Sequence, residues 1–404
     1  MMRLLFVDDE PNILQGIKRM LRSKRDEWEM EFATSGHDAL VLLGQKHFDA
    51  IITDIRMPHM DGIELLEQVS QNYPGMIRFI LSGQAKRDTV LRSIGPMHQY
   101  LSKPTDADEL RSAIERAINL RSILMNDTLI EVVSRIRSLP SLPQIYYELV
   151  EHLDQDQPSI TRISEIISKD ISMMAKILHL VNSSYFAFSH HVTSITQAVT
   201  LLGIDTVRVL VISMHLFSKI PAEVLEQIPL SHLWDHSLNS ATIAREILKR
   251  AGTDKNSIED SYMGALLHDI GILIMANAFT GMYVTFIDKA RKHGIPFHSL
   301  EKEEFGVTHA EVGGYLLGIW GLPNPIIETV SFHHEPWKLG DISFDHVGAV
   351  YVANILEHEV TENKLFNRHV PFNDEYINSC GISEQIAGWR EMATSLTREH
   401  QHGE

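Results

Sequence analysis

At 404 residues the chain is long enough for two or three domains of roughly 100–200 residues each. A hydrophobic content of 44%, a charged content of 22% and only 23 Gly and 15 Pro exclude disordered, collagenous and secreted mini-scaffold classes. The balance of 36 Lys+Arg against 53 Asp+Glu leaves −17, a field that repels nucleic acid and anionic membrane, and no local basic patch offsets it. The single cysteine, Cys380, allows no internal disulfide, and the first residues show no charged leader followed by an apolar stretch and cleavage site. The most apolar region, Leu201 to Ile220, is broken by Asp205, Arg208 and Lys219 and does not match a membrane span. A cytoplasmic address is expected, with neither nucleic acid nor membrane as a partner.

From Arg3 to Lys103, short apolar runs alternate with segments of helical spacing. Leu4 to Val7, Met30 to Ala33, Ala50 to Thr53, Ile77 to Leu81 and Tyr100-Leu101 read as strands. Strict β/α alternation with short connections predicts an open five-stranded parallel sheet of the flavodoxin-like kind, covered by helices on both faces. Chemistry in such sheets gathers at the carboxyl ends of the strands. There the sequence places Asp8 and Asp9, Asp54, Ser82 and Lys103. Three carboxylates from two strand ends make a negative hollow suited to Mg²⁺, and Lys103 and the ion could neutralise a phosphoryl group attacked by Asp54. Ser82 would give that group a hydroxyl hydrogen bond.

Residues 1–122 resemble a response-regulator receiver domain. The resemblance is carried by Val7-Asp8-Asp9-Glu10-Pro11, Thr53-Asp54-Ile55-Arg56-Met57-Pro58 with Asp61-Gly62, Leu81-Ser82-Gly83 and Lys103-Pro104. It implies that Asp54 is phosphorylated by a sensor histidine kinase or phosphotransfer protein. It also implies that Asp9, Asp54 and the Arg56 carbonyl hold Mg²⁺, with Asp8 helping through water. Ser82 and Tyr100 would be the switch pair, Tyr100 rotating inward as Ser82 engages the phosphoryl group, and Lys103-Pro104 a cis peptide.

A helical pattern from Asp106 through Ile136 predicts a connector over residues 123–138, serving as a lever or as a spacer. Beyond Leu139-Pro140-Ser141-Leu142-Pro143 the chain reads as all-α, with breaks at Asp154 to Pro158, Leu202 to Asp205 and Ala251 to Thr253. Residues 339–404 read as a further helical extension. Histidines now carry the information: His236, the pair His268-Asp269 before Ile270-Gly271, His309, and His333-His334. Imidazoles with one carboxylate suit Zn, Fe or Mn, and a dinuclear pair roughly 3.5–4 Å apart can activate water for phosphodiester hydrolysis.

The set resembles the HD superfamily of metal-dependent phosphohydrolases and, more closely, its HDOD branch over residues 134–338. Asn182-Ser183-Ser184-Tyr185-Phe186, Ile195 to Gly203 and His268-Asp269-Ile270-Gly271 carry the closer likeness. The chain departs from the catalytic HD-GYP pattern. Ile272 stands where those cyclic di-GMP phosphodiesterases have Lys, the Gly-Tyr-Pro signature is missing after His333-His334-Glu335, and Asn354 stands where the late metal-binding Asp is expected. The expectation is therefore a phosphorylation-controlled response regulator with a non-catalytic, protein-binding HDOD output, alone or as a homodimer. Its downstream partner would be a signalling protein such as a cyclic-di-GMP enzyme. The alternative is a metallo-phosphohydrolase using His236, His268, Asp269, His309, His333 and His334.

Overall fold

The computed structural model describes residues 2–82, 97–103, 106–121, 130, 133, 143–153, 155, 157–182, 191–204, 206–207, 230–293, 295–339, 343–361 and 370–402. The N-terminal part is a sheet of β1 (Met2–Val7), β2 (Trp28–Ala33), β3 (Ala50–Thr53), β4 (Ile77–Ser82) and β5 (Gln99–Ser102). The order is β2-β1-β3-β4-β5 with every pair parallel. Each predicted strand is present. Side chains alternate across the sheet: Leu4, Phe6, Ala50, Ile52, Phe79 and Leu81 join one core, and Leu5, Val7, Ile51 and Ile80 the other. Burial on both faces explains why β1 and β3 read as continuous apolar runs, whereas the edge strand β2, half-buried along its middle, carries Glu29 and Glu31.

Helices α1 (Pro11–Met20), α2 (Gly36–Gln45), α3 (Gly62–Asn72) and α4 (Ala107–Arg121) cover the sheet. Asp61 and Glu64 form a capping box that starts α3, and Ser35 caps α2 through the Asp38 amide. In β1 and β3, Val7 lies opposite Thr53, so Asp8 and Asp54 leave adjacent strands side by side. Ser82 pairs with Ser102, which brings Lys103 to the same end.

The remainder is helical among the described residues: α5 (Pro143–Leu153), α6 (Ile160–Ile167), α7 (Ile171–Val181), α8 (Ile195–Leu202), α9 (Leu230–Arg250), α10 (Lys255–Leu267), α11 (Ile270–Ala278), α12 (Thr280–His293) and α13 (Phe297–Phe305). There follow α14 (His309–Ile319), α15 (Asn324–Phe332), α16 (His346–Val360), α17 (Asp374–Ser379) and α18 (Gln385–His402). The predicted breaks coincide with helix ends, two of them at Gly203 (φ 78°) and Gly252 (φ 75°). No described helix is long and apolar enough to cross a membrane. The expected connector lies outside the described residues except Ile130 and Val133, which are buried.

The core of the helical part is built where α9 packs on α10 and α16, α10 and α14 on α15, and α11 on α14. Helix α16, from the expected extension, is buried along nearly its whole length and lies within this core.

Candidate functional site

The sheet's carboxyl edge forms a small polar hollow. Asp8 is buried, Asp54 is half-buried, and the Lys103 ammonium bonds to both, with Nζ 2.7 Å from Asp54 Oδ1 and in contact with Asp8 Oδ2. Asp54 Oδ2 also accepts from the Arg56 amide at 2.6 Å, and Asp8 Oδ1 from the Glu10 amide at 2.9 Å. Burial pushes the Lys103 pKa down, but the hydrogen bonds it donates to Asp54 and Asp8 outweigh this and raise it. Asp9 is half-buried beside Asp8. Ser82 is buried, as is Tyr100, whose hydroxyl lies 3.5 Å from the Ser82 carbonyl. Pro104, and with it the expected cis peptide, lies outside the described residues.

A second constellation lies among the helices. His268 ends α10 and Asp269 starts α11, so the pair sits at a helix–helix kink. His309 opens α14 behind a Thr308–Glu311 capping box, and His333 ends α15. Gly271 allows this convergence, since a Cβ there would lie 1.9 Å from the His309 carbonyl. Asp269 Oδ2 lies 3.6 Å from His236 Nε2 and 3.4 Å from His268 Nε2. Its Oδ1 lies 3.3 Å from His309 Nε2 and 3.8 Å from His333 Nε2. One carboxylate thus faces two imidazole pairs.

The other ring nitrogens are all committed. Nδ1 of His236 donates to Glu357 Oε2 at 2.6 Å, that of His309 to Glu301 Oε2 at 2.6 Å, that of His268 to the Ala265 carbonyl at 2.6 Å, and that of His333 to the Val330 carbonyl at 2.9 Å. These partners only accept, so each Nδ1 carries a proton and each Nε2 faces inward. His236 and His268 meet Nε2 to Nε2 at 3.2 Å, and His309 and His334 at 3.0 Å. Facing lone pairs repel unless a proton or a metal ion lies between them. Nδ1 tied to a carboxylate or carbonyl with Nε2 free is the arrangement of metal-ligating histidine. Buried His333 Nε2 and Asn354 Oδ1 have no hydrogen-bond partner, which further fits a metal ion. Three groups, His236/His268/Asp269, His309/His333/His334 and His236/Glu357/His358, have ligand atoms close enough to share an ion.

Electrostatics divide the histidines of this centre, lowering the pKa of His268, His333 and His334 and raising that of His236 and His309. Burial opposes charge on Asp269, yet His268 and His309 hold its carboxyl well below the usual range. Burial holds His333 and His334 well below the usual imidazole range, the form that ligates. Burial also opposes charge on His309, but Glu301 and Asp269 overcome it and raise its pKa to about 10. The adjoining cavity is about 50 Å³, with Ile272, Phe297, Asn354 and Ile355 among its walls and no Lys or Arg among its described lining residues.

Comparison with known families matches residues 4–115 to the response regulator receiver domain and residues 139–336 to the HDOD domain. The chain is a receiver–HDOD response regulator. An uncharacterized protein of Treponema pallidum (strain Nichols) is 29% identical over 204 residues, covering 50% of this chain and 39% of that protein. The regulatory protein AtoC of Escherichia coli (strain K12) is 33% identical over 124 residues, covering 30% of this chain and 26% of AtoC. The chain thus spans well under two thirds of these relatives' lengths. A solved structure of the MmoQ response regulator from Methylococcus capsulatus is 21% identical, with a TM-score of 0.48, and covers 63% of this chain and 98% of that one.

In this response regulator every candidate histidine lies in one centre together with Asp269, and Ile272 and Asn354 line the same cavity. Sequence reasoning missed Glu301, Glu357, His358 and His298. His358 stacks on His236 at 4.5 Å and His298 on His334 at 4.1 Å. Spacing carried a signal for two of them: Asn354, Glu357 and His358 stand at i, i+3 and i+4 on one helix face. Glu301 carried none, because it sits in the charged run Glu301-Lys302-Glu303-Glu304, which reads as a solvated surface. Asn182, from the HDOD-like stretch, clamps Val192 through both backbone groups at 2.8 Å, while residues 183–186 lie outside the described set.

Proposed function

We propose that this protein accepts a phosphoryl group on Asp54 from a histidine kinase or phosphotransfer protein and passes the signal to a protein partner through its HDOD domain. The observation that carries the reading is the Lys103 ammonium bonded to both Asp8 and Asp54 at adjacent strand ends. A carboxylate oxygen of Asp54 attacks phosphorus, the donor imidazole leaves, and Lys103 neutralises the developing charge. Asp9, Asp54 and the Arg56 carbonyl are the proposed holders of Mg²⁺, with Asp8 acting through water, and Ser82 and Tyr100 respond to the phosphoryl group. Domain limits of 1–122, 123–138, 134–338 and 339–404 are part of the proposal, with α16 belonging functionally to the HDOD centre. Labelling by a small-molecule phosphodonor with Mg²⁺ tests it: Asp54→Asn abolishes acid-labile label, and undiminished label in that variant overturns the assignment.

The HDOD centre would hold one or two ions of Zn, Fe or Mn through His236, His268, Asp269, His309, His333 and His334. A bound ion there could polarise water or simply brace the helices. Three features favour the bracing role and a non-catalytic output. Ile272 gives no cation near a phosphate, and neutral Asn354 replaces a carboxylate. A cavity of about 50 Å³ is also far below the roughly 300 Å³ at which small-molecule sites begin. The downstream partner would be a signalling protein, with cyclic-di-GMP enzymes a candidate class by analogy to the HD superfamily. The second reading, a metallo-phosphohydrolase, draws support from Asp269 facing two imidazole pairs. Metal-dependent cleavage of cyclic di-GMP that is lost in both His268→Ala and Asp269→Ala, with fold and phosphorylation intact, would decide for it.

A further inference from the structure

Helix α14 touches both sites. Its first residue is His309, whose Nε2 lies 3.3 Å from Asp269 Oδ1. Its last turn meets the receiver, where the Gln99 side chain on β5 donates from Nε2 to the Gly318 carbonyl at 3.3 Å. Receiver helix α4 packs along the same helix. Gly321, just beyond α14, leaves the room that Gln99 occupies, since a Cβ there would lie 3.2 Å from its side chain.

The helix has little freedom to absorb a shift along its length. Near its start, Gly271 presses on the His309 carbonyl, and at Gly314 any side chain would collide with Ser331. At its end, the Trp320 carbonyl accepts from His179 Nδ1 at 2.6 Å, and the Lys176 ammonium lies 4.1 Å over the Trp320 ring. Eleven residues of helix make a rod of about 16 Å. On the receiver side, Gln99 is bonded to Tyr100, whose hydroxyl approaches the Ser82 carbonyl. Successive strand side chains face opposite ways, so one peptide of β5 presents Tyr100 to the phosphoacceptor edge and Gln99 to α14.

We propose that transition-metal occupancy of the histidine centre is a second input to this regulator, coupled to phosphorylation of Asp54 through Gln99 and α14. The inference rests on the reading that the centre holds metal. Coupling of two binding sites is reciprocal, so whatever factor a phosphoryl group imposes on metal affinity, the metal imposes on phosphoryl-group binding. A divalent transition ion would then bias the receiver between its two states, as well as brace the HDOD helices.

The test uses the full chain with saturating Mg²⁺, Zn²⁺ as the metal probe and beryllofluoride as the phosphoryl mimic. Zn²⁺ affinity is measured with and without beryllofluoride, and beryllofluoride affinity with and without Zn²⁺. Both should shift by the same factor, about five-fold or more. Gln99→Ala, or the isosteric Gln99→Glu that replaces the donor with acceptors facing the Gly318 carbonyl, should bring both factors close to one while each ligand still binds. Equal Zn²⁺ affinity in the two receiver states, with beryllofluoride shown to be bound, overturns the coupling and leaves the metal centre standing. An undiminished factor in both Gln99 variants overturns the route. Wild-type chain that binds no more Zn²⁺ than His268→Ala overturns the metal reading itself, a result separate from the other two.

Discussion

Gly62 has no room for a side chain. A Cβ there would fall 1.9 Å from the carbonyl oxygen of Asp54, the proposed phosphoacceptor. Gly62→Ala should therefore displace Asp54 from Lys103, cost about 1–3 kcal/mol through overpacking, and slow phosphodonor labelling well before the fold is lost. Labelling rate and thermal unfolding on the same sample check this, and wild-type labelling would contradict it. Lys176 supplies a prediction in pH. Burial lowers its pKa from 10.5 to about 7. Between those values the unfolded chain keeps a proton that the folded chain has released, so this residue's contribution to stability rises with pH from about 7 to about 10.5. Against Lys176→Met, whose side chain has no proton to lose, the wild type should gain up to about 4 kcal/mol across that window. Denaturant unfolding of both proteins at several pH values measures the difference, and parallel stability curves would contradict the assignment.

Helix starts and close approaches set the histidine centre at the scale of elements. Thr308 accepts from the Glu311 amide, and Glu311 returns a bond to the Thr308 amide, immediately before His309. Loss of this cap in Thr308→Ala should cost about 0.5–2 kcal/mol and weaken metal binding, because the frayed turn is the one that carries His309. Gly271→Ala should act more severely on metal affinity, since α11 and α14 must separate to clear the His309 carbonyl. Zn²⁺ titration ranks the two variants, and an unaffected affinity in Gly271→Ala would show that the helix approach does not position the ligands. The same elements show what local pattern reveals. The pairs His268-Asp269 and His333-His334 were legible as motifs because their residues are neighbours in sequence. The Nδ1 anchors Glu301 and Glu357 were not, because they reach His309 from 8 residues away and His236 from 121.

For the whole molecule, metal binding should appear as stability. An ion that binds the folded chain alone adds about 2.7 kcal/mol at a hundred times its dissociation constant. Chelator treatment of metal-loaded protein should lower the unfolding temperature, while His268→Ala should be insensitive to it. An unchanged unfolding temperature in wild-type protein whose metal has been removed would mean that the ion does not brace these helices. Alternating β/α runs, acidic residues at strand ends and the His-Asp pair determined the architecture and pointed to most residues that gather in the two candidate sites, because a strand or helix writes its period into neighbouring positions. Three things were decided only by tertiary structure. The imidazoles turn Nε2 toward one carboxylate, α16 belongs to the centre, and α14 runs from Gln99 to His309. Each depends on which distant side chain accepts a hydrogen bond or fills a gap, and such contacts leave no period in the chain.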